Sequence, residues 1–295
     1  MGEILVFGGT RFFGKALVQR LINKGHVVTI ATRGQTKDDF GSSVKRMIVD
    51  RENKESLMKA IGNKNFDVVV DNICYSPDDA KIAIEVLAGK VGKYVVTSSM
   101  AVYEQEGNSL VEDAFDPFRY RVAKGSRYDF TYGEGKRLAE AVFFQQANFP
   151  VVAVRFPVVL GKEDYSKRLF FYCDRIINKQ ALHISEGELS FVLDLEAARF
   201  LEWSCENDYS GPINACSNGT ISIKEIITYI EGISGEKAIL SESGEEAPYN
   251  WVANYIVSNE RASQLGFQFE NVNDYISGLM DGYVEELNLL FNEHN

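Results

Sequence analysis

The chain is poor in the residues that build metal sites and disulfide frameworks: its 295 residues include only 4 cysteines and 3 histidines. Cys74, Cys173, Cys205 and Cys216 lie far apart and form no C-x-x-C pair. That excludes a zinc ribbon or redox dithiol and fits free thiols in a reducing compartment. His26, His183 and His294 are equally scattered and suit strand edges or the surface, so no metal is expected. Long apolar runs are missing as well. A membrane span needs about 20 apolar residues, and even Phe149 to Leu160 is broken by Arg155, Pro150 and Pro157. Positive charge is in deficit, with 31 Lys and Arg against 42 Asp and Glu and a formal net charge of −11. Such a surface repels phosphate polymers and anionic membranes, so neither is an expected partner. Met1 and Gly2 lead straight into a strand-like run without the charged region of an export signal; a soluble, cytoplasmic protein is the expectation.

There is no internal repeat and no linker rich in Pro, Gly and Ser. Instead, short apolar runs alternate with amphipathic stretches. Glu3 to Phe7, Val27 to Ala31, Asp67 to Asp71, Lys93 to Thr97 and Val151 to Phe156 read as strands. Runs such as Val68-Val69-Val70 suit parallel strands buried on both faces and joined by helical crossovers. The pattern predicts an α/β fold with a doubly wound parallel sheet of Rossmann type. The alternation weakens after Gly161. Ile213-Asn214-Ala215 reads as a late strand returning to the sheet, while Ile223 to Gly232 and Val272 to Leu290 read as helices. The expected division is a dinucleotide-binding core over 1–160 with returning segments near 190–220, and a smaller, discontinuous substrate region over 161–190 and 221–295.

The first strand runs into Gly8-Gly9-Thr10-Arg11-Phe12-Phe13-Gly14 and then into an amphipathic helix. Glycines here let the backbone turn tightly and approach a pyrophosphate, which the helix N-terminus can bind through unpaired N–H groups. Gly8, Thr10, Arg11, Phe12, Phe13 and Gly14 are therefore candidate cofactor-binding residues. About 20 residues further on, where an NAD-binding chain places an acid, this one has Ala31-Thr32-Arg33-Gly34. A guanidinium at position 33 suits a ribose 2′-phosphate, with Arg11 as a second partner, so NADP is the expected cofactor and NAD the alternative. Asp50 is placed to accept from the adenine amino group.

Tyr132-Gly133-Glu134-Gly135-Lys136 opens a helix, and residues four apart share one face. An ammonium held beside a phenol favours the phenolate, the form that takes a proton from a substrate alcohol. Tyr132 is thus the expected general base, Lys136 also a ligand of the nicotinamide ribose, and Ser99 a hydrogen-bond partner of the reacting oxygen.

With these segments, with Thr97 to Tyr103, Val154-Arg155-Phe156-Pro157 and Gly161, with Phe191 to Leu195 and with Glu260 to Phe267, the chain resembles the extended short-chain dehydrogenases/reductases grouped as NAD-dependent epimerases and dehydratases. The resemblance spans nearly the whole chain. It implies Ser99, Tyr132 and Lys136 as the catalytic triad, the glycine-rich turn as cofactor site and a nucleotide sugar as the usual substrate class. Three departures qualify it. Arg11 replaces the middle glycine of G-x-x-G-x-x-G, as in an atypical G-G-T-R-F branch that includes plant chloroplast RNA-binding relatives. Met100-Ala101 stand where sugar-nucleotide 4,6-dehydratases carry an Asp-Glu acid/base pair, so dehydration is not expected. Glu163 to Arg168 matches no known sugar-binding signature.

The expected activity is an NAD(P)-dependent reductase or epimerase acting on the alcohol or ketone carbon of a nucleotide sugar or related small metabolite. Arg168 and Arg175 are candidates for clamping a substrate diphosphate. A homodimer is compatible with this reading. The rival is a non-catalytic dinucleotide sensor or RNA-binding protein on the same fold, against which the net charge and the Ser99, Tyr132 and Lys136 constellation both argue.

Overall fold

The computed structural model describes residues 1–104, 107–250 and 254–293. His294 and the stretch 251–253, within the loop-rich region from Glu242 to Tyr255, lie outside the described residues. The main sheet has seven strands: β1 (Glu3–Phe7), β2 (Val27–Thr32), β3 (Lys45–Ile48), β4 (Phe66–Asp71), β5 (Val91–Ser99), β6 (Val151–Phe156) and β7 (Gly211–Asn214). Their order is β7-β6-β5-β4-β1-β2-β3, and every pairing is parallel. The expected strands are present within one or two residues of their predicted ends. The returning strand is there too, as Gly211–Asn214 beside β6. β3 was not anticipated, because three of its four residues are exposed and Lys45 and Arg46 interrupt its apolar pattern.

Strand periodicity assigns the two faces. Ile4 and Val6 of β1 join the core beneath α1 (Phe12–Asn23), whereas Leu5 and Phe7 point to the other side. That second side is covered by α2 (Lys54–Ile61), α3 (Pro77–Leu87) and α4 (Tyr132–Gln146). A further core gathers α5 (Arg168–Ile177), α7 (Ile223–Ser234) and α9 (Ile276–Glu293) around Tyr172, Ile226 and Met280. α6 (Asp194–Glu206) lies with α1, and α8 (Glu260–Gln264) is a short turn. Local signals set the helix ends. α7 starts at a Ser222–Glu225 capping box and stops at Gly235, whose φ is +74°; α3 starts with Pro77 behind the Ser76 cap. The last helix begins at Ile276 rather than Val272, which lies in a separate 3₁₀ turn.

Small sheets built from pieces of two to four residues, most of them from the later half, lie outside the main sheet. One joins Gly107–Leu110, Glu188–Leu189, Ile221–Ser222 and Tyr255–Val257. No helix among the described residues is long and apolar enough to cross a membrane.

One buried network fixes how α4 sits on the sheet. Arg155 of β6 is fully buried and pairs with Glu140 of α4 at 2.7 Å. It also donates to Tyr103 Oη at 3.1 Å and to the carbonyls of Glu112 and Phe115 at 2.8 and 3.2 Å. Ser98 Oγ donates to Glu140, and Tyr103 Oη donates to Asn214 of β7, so the network joins α4 to β5, β6 and β7. Glu140→Leu leaves a buried guanidinium without its counter-charge and should lower stability by about 3–5 kcal/mol. Adding Arg155→Met should restore part of it. Urea unfolding of both variants, read at the midpoint with the slope held to wild type, checks this.

Candidate active site

Strand order reverses between β1 and β4, so the crevice of the sheet opens at their carboxyl ends. The glycine-rich turn follows β1, and Asn72 follows β4. Asn72 is buried and accepts from Thr97 Oγ1 at 2.7 Å while its amide reaches Gly8 O at 3.5 Å. It ties the turn to the end of β5.

The turn is shaped by close approach. Gly8 has φ of +77°, and a Cβ there would come within 2.8 Å of Ile73 Cγ2. A Cβ on Gly14 would overlap the carbonyl oxygen of Gly8, so α1 packs onto β1 as closely as a glycine allows. Arg11 is extended, at φ −139° and ψ 153°; the left-handed conformation falls instead on Phe12, at φ +50°. α1 begins without a side-chain cap, which leaves its first-turn amides facing a cavity of about 470 Å³. Gly8, Thr10, Arg11, Phe12, Phe13 and Gly14 line that cavity, as do Arg33 and Asp50. These features fit a dinucleotide: a cradle that a Cβ would fill, open amides for a pyrophosphate and arginines on the wall of the same cavity. Arg33 is exposed at the end of β2. Asp50 folds back in part, accepting from the amide of Glu52 at 3.1 Å. Its neighbour Arg51 is buried and paired with Asp71 at 2.6 Å.

A second cavity, of about 620 Å³, is lined by Ser99, Tyr132, Lys136 and Arg168. Phe12, Phe13, Asn72, Tyr75 and Tyr165 line both, so the two cavities meet. Ser99 ends β5, and its Oγ accepts from the amide of Ala101 at 3.2 Å. Met100 and Ala101 line the cavity beside it. Tyr132 is exposed at the start of α4, directly after the Thr131 cap. One turn on, Lys136 is 2% exposed. Its Nζ donates to Cys74 O at 2.7 Å and Thr97 O at 2.8 Å, and lies 4.6 Å and 5.7 Å from the ring centres of Tyr75 and Tyr132. Gly133 and Gly135 permit this depth. A Cβ on Gly133 would stand 2.5 Å from Ala101 O, and one on Gly135 would overlap Tyr75 O.

Two other tyrosines of this cavity are held as phenols. Burial pushes Tyr75 well above the ordinary tyrosine range and Tyr255 up to about 12. The Tyr255 hydroxyl lies 2.6 and 2.9 Å from the carbonyl oxygens of Met100 and Tyr103.

The two candidate substrate arginines are separated. Arg168 lines the larger cavity and donates to Ser166 Oγ at 2.9 Å. Arg175 lines neither cavity. Its guanidinium is engaged by Glu245 and by Gln180 and packs on Phe171. Asn72, Tyr75 and Tyr165 were not anticipated. For Asn72 the signal was available: it is the first residue past a strand end at the reversal of strand order.

Residues 4–87 match the profile of the NAD dependent epimerase/dehydratase family. Among curated proteins, the chain is similar to the chloroplast stem-loop binding protein of 41 kDa b of Arabidopsis thaliana. The two are 31% identical over 130 residues, 39% of this chain and 34% of that protein. It is also similar to the 2′-dehydrokanamycin reductase of Streptomyces kanamyceticus, 28% identical over 98 residues, 33% of this chain and 28% of that one. The matched stretches thus span about a third of these relatives. Among solved structures, the fold is similar to that of the UDP-glucuronic acid 4-epimerase of Bacillus cereus, determined with UDP-glucuronic acid and NAD. The TM-score is 0.74 at 19% identity, covering 97% of this chain and 99% of that one. Residues 4–87 therefore match the NAD dependent epimerase/dehydratase family, and the likeness of fold to the Bacillus cereus enzyme covers nearly the whole chain.

Proposed function

We propose that the protein is a nicotinamide-dinucleotide-dependent reductase or epimerase acting on an alcohol or ketone carbon of a nucleotide sugar or related small polar metabolite. The observation that carries the reading is the junction of the two cavities. The glycine-rich turn opens into one, Tyr132 and Lys136 stand in the other, and Tyr75 and Asn72 belong to both. In this reading residues 1–160, with the segments near 190–220, hold the dinucleotide, while 161–190 and 221–295 form the substrate side. The bound dinucleotide supplies the hydride acceptor or donor. Tyr132 moves the proton at its phenolic oxygen, which the exposed ring presents to the cavity. Ser99 Oγ orients the reacting oxygen. An ammonium has three N–H donors; two of those on Lys136 are taken by the carbonyls of Cys74 and Thr97, and the third serves the nicotinamide ribose. Arg168 meets the anionic end of the substrate. Arg175, engaged by Glu245, has no part in this reading. Neither Met100 nor Ala101 transfers a proton, so dehydration is not proposed.

The NAD and UDP-glucuronic acid held by the Bacillus cereus enzyme, and the reductase name of the Streptomyces relative, support the cofactor class and the substrate class. The name of the Arabidopsis relative favours a second reading, an RNA-binding protein on this fold. Binding to a structured RNA that is unaffected by Tyr132→Phe, together with no turnover on nucleotide sugars or carbonyl compounds, would establish that second reading instead.

Tyr132→Phe removes the proton-carrying oxygen and keeps the ring. Turnover on an accepted nucleotide sugar or carbonyl compound, followed by dinucleotide absorbance, should fall about 10²–10⁴-fold, with the melting temperature and dinucleotide affinity unchanged. Lys136→Ala should reduce turnover, dinucleotide affinity and stability together, because it also strands two buried carbonyls. Equal, mild losses in both variants would sink the catalytic assignment.

Cofactor choice rests on Arg33 and Arg11, two exposed guanidiniums on the cofactor cavity. A guanidinium pairs well with a 2′-phosphate and gains less from a hydroxyl, so NADP should bind more tightly than NAD. Losing a charge-assisted hydrogen bond costs about 1.5–3 kcal/mol, roughly tenfold to a hundredfold in affinity. Arg33→Asp should therefore reverse the preference in titrations at fixed ionic strength. A wild type that prefers NAD, and an Arg33→Asp variant altered toward neither cofactor, would place Arg33 in solvent and favour an epimerase that retains NAD.

A further inference from the structure

One cation of the cofactor cavity has no role in the reading above. Arg127 lies on the segment between α3 and α4 that leads to the Thr131 cap, and it lines the smaller cavity but not the larger. The segment is fastened at several points. The amide of Gly125 donates to Asp78 Oδ1 at 3.2 Å, and the amide of Asp78 donates to Gly125 O at 3.3 Å, which ties it to the first turn of α3. Ser126 donates through its amide and its hydroxyl to Asp129 Oδ2 at 2.7 and 2.8 Å, closing a turn with Arg127 inside it. The side chain is placed by rings. Its guanidinium carbon lies 5.0 Å from the centre of Tyr75 and 5.4 Å from that of Tyr128. Its carboxylate neighbour Glu52 stands at 3.7 Å, beyond hydrogen-bond length. Arg51, on the same cavity, is by contrast buried and bonded to Asp71 through two of its nitrogens.

Tyr75, on which Arg127 rests, belongs to both cavities and has Lys136 4.6 Å from its ring centre. A dinucleotide with its adenosine beside Arg33 and Asp50, and its nicotinamide beside Tyr132, brings the bridging diphosphate to the glycine-rich turn near this ring. We infer that Arg127 is a binding residue for that diphosphate, a cation from a distant segment that acts beside the amides of the α1 N-terminus. The inference rests on the dinucleotide reading and adds to it a residue outside the glycine-rich turn. A guanidinium suits this position because it is planar, stacks on an aromatic face and offers paired N–H donors to phosphate oxygens.

The test is calorimetric titration of wild type, Arg127→Ala and Arg127→Lys with NADP, NAD, ADP, 2′-AMP and adenosine at fixed ionic strength. Arg127→Ala should weaken NADP, NAD and ADP by the same factor, about tenfold to a hundredfold. Adenosine and 2′-AMP, which lack the diphosphate, should bind as to wild type. Arg127→Lys should recover part of the loss, since it keeps the charge and gives up the fork. Unchanged ADP binding, an equal loss for adenosine, or a loss confined to NADP and 2′-AMP would each overturn the assignment, the last by moving Arg127 to the 2′-phosphate. A wild type that binds none of the five overturns the dinucleotide reading itself, and this assignment with it.

Discussion

Withdrawing an ammonium from water is costly unless hydrogen bonds replace the lost solvation. Lys136 is 2% exposed and is compensated by the carbonyls of Cys74, just past β4, and Thr97, near the end of β5. For the ammonium to reach both, the first turn of α4 must press down between the loops that follow those strands. Gly133 and Gly135 make that approach possible, because a Cβ at either would run into the backbone of Ala101 or Tyr75. Tyr132, Lys136 and Glu140 fall at intervals of four on one helix face. The Glu140–Arg155 pair fixes the following turn of the same face against β6. The placement of Tyr132 therefore follows from two buried cations held by two different sets of acceptors.

Much of this was legible in the residues themselves. Buried parallel strands read as short apolar runs, and β1, β2, β4, β5 and β6 are such runs. The edge strand β3 is not: Lys45 and Arg46 are exposed, and Arg46 turns outward to pair with Asp38. The small sheets of the later half were invisible because their strands are too short to show a period. The glycine-rich turn and the Tyr132–Lys136 spacing are local features, so the line of sequence preserves them. Tyr75 and Arg127 are 52 positions apart, and nothing in either loop announces that they stack. Arg168 and Arg175 show the converse. Seven positions apart on one helix, they look like a pair, but the partner that occupies Arg175 is Glu245, on a strand of two residues.

The absent middle glycine has a conformational and a chemical consequence. Conformationally, position 11 is extended and any residue suits it, while the left-handed turn moves to Phe12, where a side chain costs about 1–2 kcal/mol. Burial of the Phe12 ring, 5.5 Å from Phe13 and 6.1 Å from Tyr165, supplies contacts that offset this strain. Chemically, a turn that ends in two phenylalanines builds a wall. Phe12 and Phe13 line both cavities, so the rings that shape the glycine-rich turn also bound the space before Tyr132. Tyr165 rests edge-on against Phe12 from the loop that precedes α5, where Ser166 Oγ accepts from Arg168 and donates to Asp164. The segment that carries Arg168 is thereby braced against the turn that follows β1. A change of shape at Phe12 must be felt on both sides, which a turn made of glycine alone could not transmit.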